Sequence, residues 1–459
     1  MSSRRASNGR DIGLSKTTGA PEFAGPNAGY SSTDGVRRLA STEVSGFGQR
    51  LSSRFDDLLF LALVAGLACA PFWLGSNRPL AWGVNAVYFG ALALLYEISL
   101  VVTRRRHPIA VSRIWFPALA FLVLCAWAII QMIPSNSISF QHPIWQMAGE
   151  KLGRDLAGSI SVNRDKTVIA ITRFATCGMA FWVSLQLCRS ATRARRLVKA
   201  IAVIGVLYAL YGIVTFFLFP GTVPWFEGVK PTDGLTSTFV NRNSYATYAG
   251  IGMVAAFGLA LSHFLRGADS KGASLGHRIA ALAALTVGEG AGWIVCVFVI
   301  GIALVLTGSR GGVSATIAGV VSLALLVGAR ARKNPVGMGF GLLSAGLAIG
   351  VALFAYGDFL TERLATGGVS SNARLATYAL TLRSIMHAPL LGFGDGTFAN
   401  VFPMYRDSSI GPQGVWDMAH NTYLELFQGL GAPVAVMYLV SLLFLAGRCV
   451  YATLTRLEP

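Results

Sequence analysis

The run LLFLALVAGLACAPFWL at positions 58–74 decides the fold. It carries no charge, and a second such run, IVCVFVIGIALVL, lies at 294–306. A stretch of about 18 or more apolar residues crosses a hydrocarbon core of about 30 Å as a helix. A helix is favoured there because it satisfies its own backbone groups where no water can. Working outward, 53% of the 459 residues are hydrophobic and 13% are charged, with a mean hydropathy of +0.56. A soluble domain carries about 25% charged residues, so this chain has too little polar surface for water. The fold class expected is an all-α, polytopic integral membrane helix bundle.

The window rule gives about ten spans, with room for up to twelve: roughly 58–75, 80–102, 114–133, 167–188, 197–219, 243–265, 288–307, 313–329, 336–356 and 422–447. The apolar stretch 279–287 is interrupted by Gly288, Glu289 and Gly290 and reads as interfacial or as part of a longer tilted helix. Residues 1–54, rich in Ser, Gly and Arg without apolar periodicity, read as a disordered cytoplasmic tail. No cleavable signal peptide is expected. The membrane domain then covers 55–450, and 451–459 is a short cytoplasmic tail.

A net charge of +17 would suit nucleic acid, yet the cations recur in alternate connections, as the positive-inside rule requires. No nucleic-acid partner is expected. Arg104, Arg105, Arg106 and Arg113 follow the second span. Arg189, Arg193, Arg195, Arg196 and Lys199 follow the fourth, and Arg330, Arg332 and Lys333 the eighth. Those connections should be cytoplasmic, as should both termini. Segments 134–166, 220–242 and 357–421 should lie outside. The six cysteines fall in or beside apolar runs and read as small core residues without metal-ligand spacing.

The 357–421 segment is too long for an ordinary connector, and such loops are usually functional. Within it Leu375, Tyr378, Ala379, Leu382, Ile385 and Met386 recur at helical spacing, with Arg374, Thr377, Thr381 and Ser384 on another face. Asn372 as N-cap and Pro389 as terminator frame an amphipathic helix at the outer membrane surface, in contact with membrane lipids.

Three stretches carry the chemistry. The first is Thr238-Phe239-Val240-Asn241-Arg242-Asn243, before the sixth span. The second is Thr307-Gly308-Ser309-Arg310-Gly311-Gly312, a tight joint between two spans. The third is the long loop, from Arg374 to His420-Asn421. Arg310 must sit at the membrane surface beside a helix N-terminus whose free N–H groups favour an anion. Its planar donors match phosphate oxygens, although an arginine there also serves as a lipid-headgroup anchor. His420, with a pKa near 6.5 when unperturbed, suits a general base at neutral pH. Asn421, Glu425 and Gln428 share its helix face, and Glu425 or Asn421 is expected to orient it. Gly392-Phe393-Gly394-Asp395-Gly396 looks like a phosphate loop only superficially, since no strand precedes it. No His, Asp and Glu cluster has metal-ligand spacing.

These motifs, with Tyr378 and the run His387-Ala388-Pro389-Leu390-Leu391-Gly392-Phe393-Gly394, in this order over roughly 230–450, resemble the O-antigen ligase family and its related polysaccharide polymerases. The resemblance implies a bacterial inner-membrane enzyme, active on the periplasmic side, without metal or cofactor. The donor would be an undecaprenyl-pyrophosphate-linked glycan, and the acceptor lipid A–core or another glycan. Catalytic roles would fall to His420 as base and to Arg310 and Arg374 on the pyrophosphate. Arg242, Asn241, Asn243, Asn421, Glu425 and Tyr378 would bind substrate. A single base implies inversion at the anomeric carbon. Family members commonly have about twelve spans by resemblance, two more than read here. A polymerase of the same family is the nearest alternative. A transporter is a further one, although no internal repeat supports it.

Overall fold

The computed structural model describes residues 54–135, 140–268, 289–330, 369–410 and 416–455. Among the described residues are thirteen α-helices: α1 (Arg54–Phe72), α2 (Pro79–Val102), α3 (Trp115–Met132), α4 (Pro143–Leu152), α5 (Arg164–Leu187), α6 (Ala191–Leu218), α7 (Arg242–Ala268), α8 (Glu289–Leu306), α9 (Arg310–Arg330), α10 (Val369–His387), α11 (Phe398–Val401), α12 (Thr422–Leu430) and α13 (Ala432–Thr455). Among the described residues, the strand-like pairing is an isolated bridge between Ser135 and Gly158. Among the described residues, eight helices are long and apolar enough to cross a membrane, namely α1, α2, α3, α5, α6, α7, α9 and α13. The apolar part of α8, Gly290–Leu306, is shorter. The chain is a multi-pass membrane protein. The expected span 336–356, the stretch 279–287 and the tail 1–53 lie outside the described residues.

Small residues set the packing. Helices α7 and α9 run parallel, matched at Ala246 with Gly312, Gly250 with Thr316, Val254 with Gly319 and Gly258 with Leu323. Glycines there let two backbones approach, which is how membrane helices associate when lipid is as apolar as leucine. Gly205 of α6 meets Gly252 of α7 in the same way. Around these contacts Ala249, Ala256, Ile300, Ala303 and Leu304 form the largest buried apolar cluster.

The pairings also fix which helix ends gather. Arg193 bonds Asp57 and Tyr208 bonds the carbonyl of Ala68, so α1 and α6 are parallel. Trp127 donates to the Leu430 carbonyl while Phe116 packs on Phe444, so α3 and α13 are antiparallel. Following the chain, 73–78, 133–135, 140–163, 219–241, 307–309, 388–410 and 416–431 collect at one end. The connections 103–114 and 188–190 lie at the other, where Arg105 and Arg193 pair with Asp56 and Asp57 at 2.8 and 2.7 Å.

Five expectations need correction. The last span, expected over 422–447, is broken at Gly431 (φ 79°), because Leu390's carbonyl occupies the place of any Cβ there. Helix α6 begins at Ala191, so Arg193, Arg195, Arg196 and Lys199 belong to its first three turns and not to a loop. Arg and Lys are good helix formers whose long stems reach the surface from within a helix. Segment 134–166 holds helix α4, ended by Gly153 in the left-handed region (φ 59°). None of the six cysteines is fully buried, and Cys69, Cys177 and Cys449 are exposed. A small apolar side chain suits the lipid-facing side of a span as well as its core. Finally, α10 starts at Val369, so Asn372 lies inside it rather than capping it.

Helix α10 buries hydroxyl side chains as well as apolar ones. Thr377, Thr381 and Ser384 are fully buried, whereas Leu375, Leu382 and Met386 are exposed. The buried hydroxyls find acceptors: Thr381 donates to the Thr377 carbonyl, and Ser384 to that of Thr381. Gln428 of α12 closes the set by donating to Ser384 Oγ at 2.7 Å. Leu380 and Ile385 are buried beside these hydroxyls, while the outward side mixes Leu375, Leu382 and Met386 with Arg374 and Arg383, an amphipathic surface that fits a membrane interface.

Candidate active site

The sequence-predicted residues fall into two groups at the same end of the bundle. The first is built on the parallel N-termini of α7 and α9. Asn241 caps α7, its Oδ1 accepting from the Asn243 N–H at 2.7 Å. Ser309 caps α9, its Oγ accepting from the Gly312 N–H at 3.2 Å. The caps are tied together, since Ser309 Oγ donates to Asn243 Oδ1 at 2.8 Å. Gly308 (φ 59°) makes the turn that allows this, as only glycine adopts that conformation without strain. Segment 232–241 is pinned from three sides. Thr238 donates to the Pro71 carbonyl, Ser237 to that of Tyr208, and the Leu235 N–H to that of Leu306.

Each of these helices opens with an arginine, Arg242 and Arg310, and neither has an acid in its first turn. The macrodipole makes a cation unfavourable at a helix N-terminus, by about 0.3–1 kcal/mol for an exposed group. Here two cations head two adjacent positive ends. Arg242 is half-buried, its Nη1 donating to the Asp233 carbonyl at 3.2 Å and its N–H to Thr232 Oγ1 at 2.8 Å. Arg310 is exposed. An anion bound between them reverses the sign of this electrostatic cost.

The second group centres on His420. Its backbone is in the left-handed region (φ 56°), uncommon for a residue with a side chain. Four hydrogen bonds surround it. Tyr378 of α10 donates to the His420 carbonyl at 3.3 Å. Glu425 Oε1 accepts from the Ala419 N–H at 2.7 Å. Asn421 caps α12, accepting from the Tyr423 and Leu424 N–H groups. The His420 ring packs edge-on against Trp416 with centroids 6.0 Å apart. Burial, then the nearby Arg374 cation, pulls the His420 pKa below its usual 6.5, with Asp417 opposing. A lowered pKa favours the neutral imidazole, the form that accepts a proton. The expectation that Asn421 or Glu425 orients the His420 ring changes here, because both bond backbone N–H groups.

Sequence reasoning missed the residues behind this corner. Arg173 sits well inside α5, its guanidinium over Trp82 at 4.9 Å. It lies within electrostatic reach of Asp395 and Glu425. Desolvation pushes Asp395 up to about 6 against the pull of Arg173, with Glu425 adding to the rise. Glu425 is likewise raised, chiefly by burial. A charged residue inside an otherwise apolar span was the available signal.

The glycine-rich run 392–396 is an interlock. Phe393 and Gly394 donate to the carbonyls of Gln428 and Gly429, and Val162 donates back to that of Phe393. Gly392 (φ 67°) and Gly394 (φ 92°) lie against Gly429 and Ser161 so closely that no Cβ fits. Among the described residues no group of three or more His, Cys, Asp or Glu could hold a metal ion.

Comparison with curated proteins and with solved structures finds no match. Residues 295–439 match the family model described as O-antigen ligase. The matched region carries Arg310, Arg374, Tyr378, His420, Asn421 and Glu425, while Arg242 precedes it. Over that region, about a third of the chain, the protein is similar to the O-antigen ligase family, which supports a membrane enzyme of the glycosyl-transfer type.

Proposed function

We propose that this protein transfers a glycan from undecaprenyl pyrophosphate to an acceptor hydroxyl on the periplasmic face of the bacterial inner membrane, as a ligase acting on lipid A–core. The observation that carries the proposal is the pair of adjacent, arginine-headed helix N-termini. Helix ends and arginine forks both favour phosphate, and a pyrophosphate is the anion that a lipid-linked glycan presents at a membrane surface.

In this reading Arg242 and Arg310 hold the pyrophosphate, and neutral His420 takes the proton from the acceptor hydroxyl. The acceptor oxygen bonds to the anomeric carbon as the carbon–oxygen bond to phosphate breaks. The electron pair leaves with undecaprenyl pyrophosphate, and the configuration inverts. Preorganised cations stabilise the negative charge developing on the leaving group. Arg374, beside His420, keeps the base neutral and adds positive charge on the donor side. Asn241, Asn243 and Asn421 serve by fixing the helix starts that bear these groups.

The test is the chain-length profile of lipid-linked and surface glycans in cells lacking the protein. Long undecaprenyl-linked chains over a bare acceptor are expected. Single unpolymerised repeats would identify a polymerase instead, and unchanged glycans would overturn both.

A further inference from the structure

We infer that Glu425 is a positioning residue for His420, acting through the backbone of the 419–421 corner and not through the imidazole ring or the substrate. The inference rests on the reading of His420 as the base. His420 occupies a backbone region that a side-chain-bearing residue seldom adopts unless the surroundings over-determine it. The surroundings do so from both sides. Tyr378 holds the His420 carbonyl at 3.3 Å, and Glu425 holds the preceding N–H, that of Ala419, at 2.7 Å. Glu425 stands in the first turn of α12, whose positive end favours a carboxylate. Behind it, Arg173 on α5 acts on the same carboxylate through its charge, without an ion pair.

The charged groups facing Glu425 are then Arg173 from α5, Asp395 from the glycine-rich interlock and Asp417 from the loop before His420. The two aspartates oppose the carboxylate's charge, while Arg173 and the Ala419 N–H support it. This gives Arg173, exposed on α5, a use: its charge supports the acceptor that holds Ala419, the residue before the strained corner. It also accounts for the absence of a Glu425 bond to the ring, since a base that must accept a proton is better left with its ring nitrogen toward the acceptor.

The experiment uses the full-length protein in lipid with undecaprenyl-pyrophosphate-linked glycan and lipid A–core, comparing E425Q, E425L, Y378F and H420A. E425Q retains an acceptor oxygen for Ala419 and should keep most activity. E425L should lower kcat by about ten- to a hundredfold, the scale of a displaced catalytic group, with KM for both substrates unchanged. Y378F, which removes the other tether, should lower kcat in the same sense and provides the reading if E425L fails to fold. A rise in KM in both E425Q and E425L would mean that Glu425 contacts substrate, and unchanged kcat in E425L and Y378F would mean that the corner needs no tether. Either result overturns the inference while leaving the base assignment intact. Full activity in H420A would remove that assignment itself.

Discussion

Arg242 and Arg310 stand at the first position of their helices, where the backbone alone would prefer an acid. Removing either fork should cost about 10²–10³-fold in transfer, the usual effect of deleting one preorganised donor to a developing anion. Arg310→Lys should also be impaired, since a point charge does not replace a planar fork. Initial rates of glycan transfer for R242Q, R310Q and R310K check this. A second prediction concerns pH. Because burial and Arg374 hold the His420 pKa below 6.5, activity should persist below that pH and fall only as His420 becomes protonated. Arg374→Gln removes one of the two depressing influences, so the acid limb of kcat/KM should move to higher pH. An acid limb that stays in place or moves down would contradict the coupling. The arginines and His420 were legible in the sequence because their types and flanking residues stood out. What each asparagine bonds was not, since capping and ligand binding call for the same side chain. Arg173 was passed over, although its setting inside an apolar span was a readable sign.

At the scale of elements, the joint between α12 and α13 decides how the site is held. Gly431 breaks the helix, Pro433 sits in the first turn of the next one, and Ala432 donates to the Pro389 carbonyl at 2.7 Å. The apolar run hid this break, because hydropathy does not report backbone direction. Gly-Ala-Pro at 431–433 was the local hint. Gly431→Ala should lower thermal stability in detergent by more than the ~1–2 kcal/mol of a left-handed alanine, because Leu390's carbonyl fills the Cβ position. Gly83, whose Cβ would meet nothing within 4 Å, is the control and should tolerate alanine. Helix α10 shows a related limit. Its periodicity was readable, but which face turns inward depends on the solvent outside, and here the threonines go in with Leu380 and Ile385.

At the scale of the whole molecule, length and composition alone gave the membrane class and most spans, because a helix must satisfy its backbone wherever water is excluded. Which ends assemble into one surface came from pairings far apart in sequence, such as Trp127 with Leu430 and Gln131 with Leu391 and Gly429. Residues 219–241 lie at the site end and 103–114 at the opposite one. Single cysteines replacing Trp225, which is 80% exposed, and Arg113 should therefore react with an impermeant thiol reagent from opposite sides of the membrane, in a background lacking the native cysteines. Labelling of both from one side would dismantle the common surface on which the reading depends.

The most direct measurement is transfer by the purified, lipid-reconstituted protein, following release of undecaprenyl pyrophosphate alongside glycan on the acceptor. The account predicts equal release and transfer by the wild type, and loss of both in the R242Q/R310Q double variant with its fold intact. Undiminished transfer by that double variant would contradict the claim that the two arginine-headed helices hold the pyrophosphate.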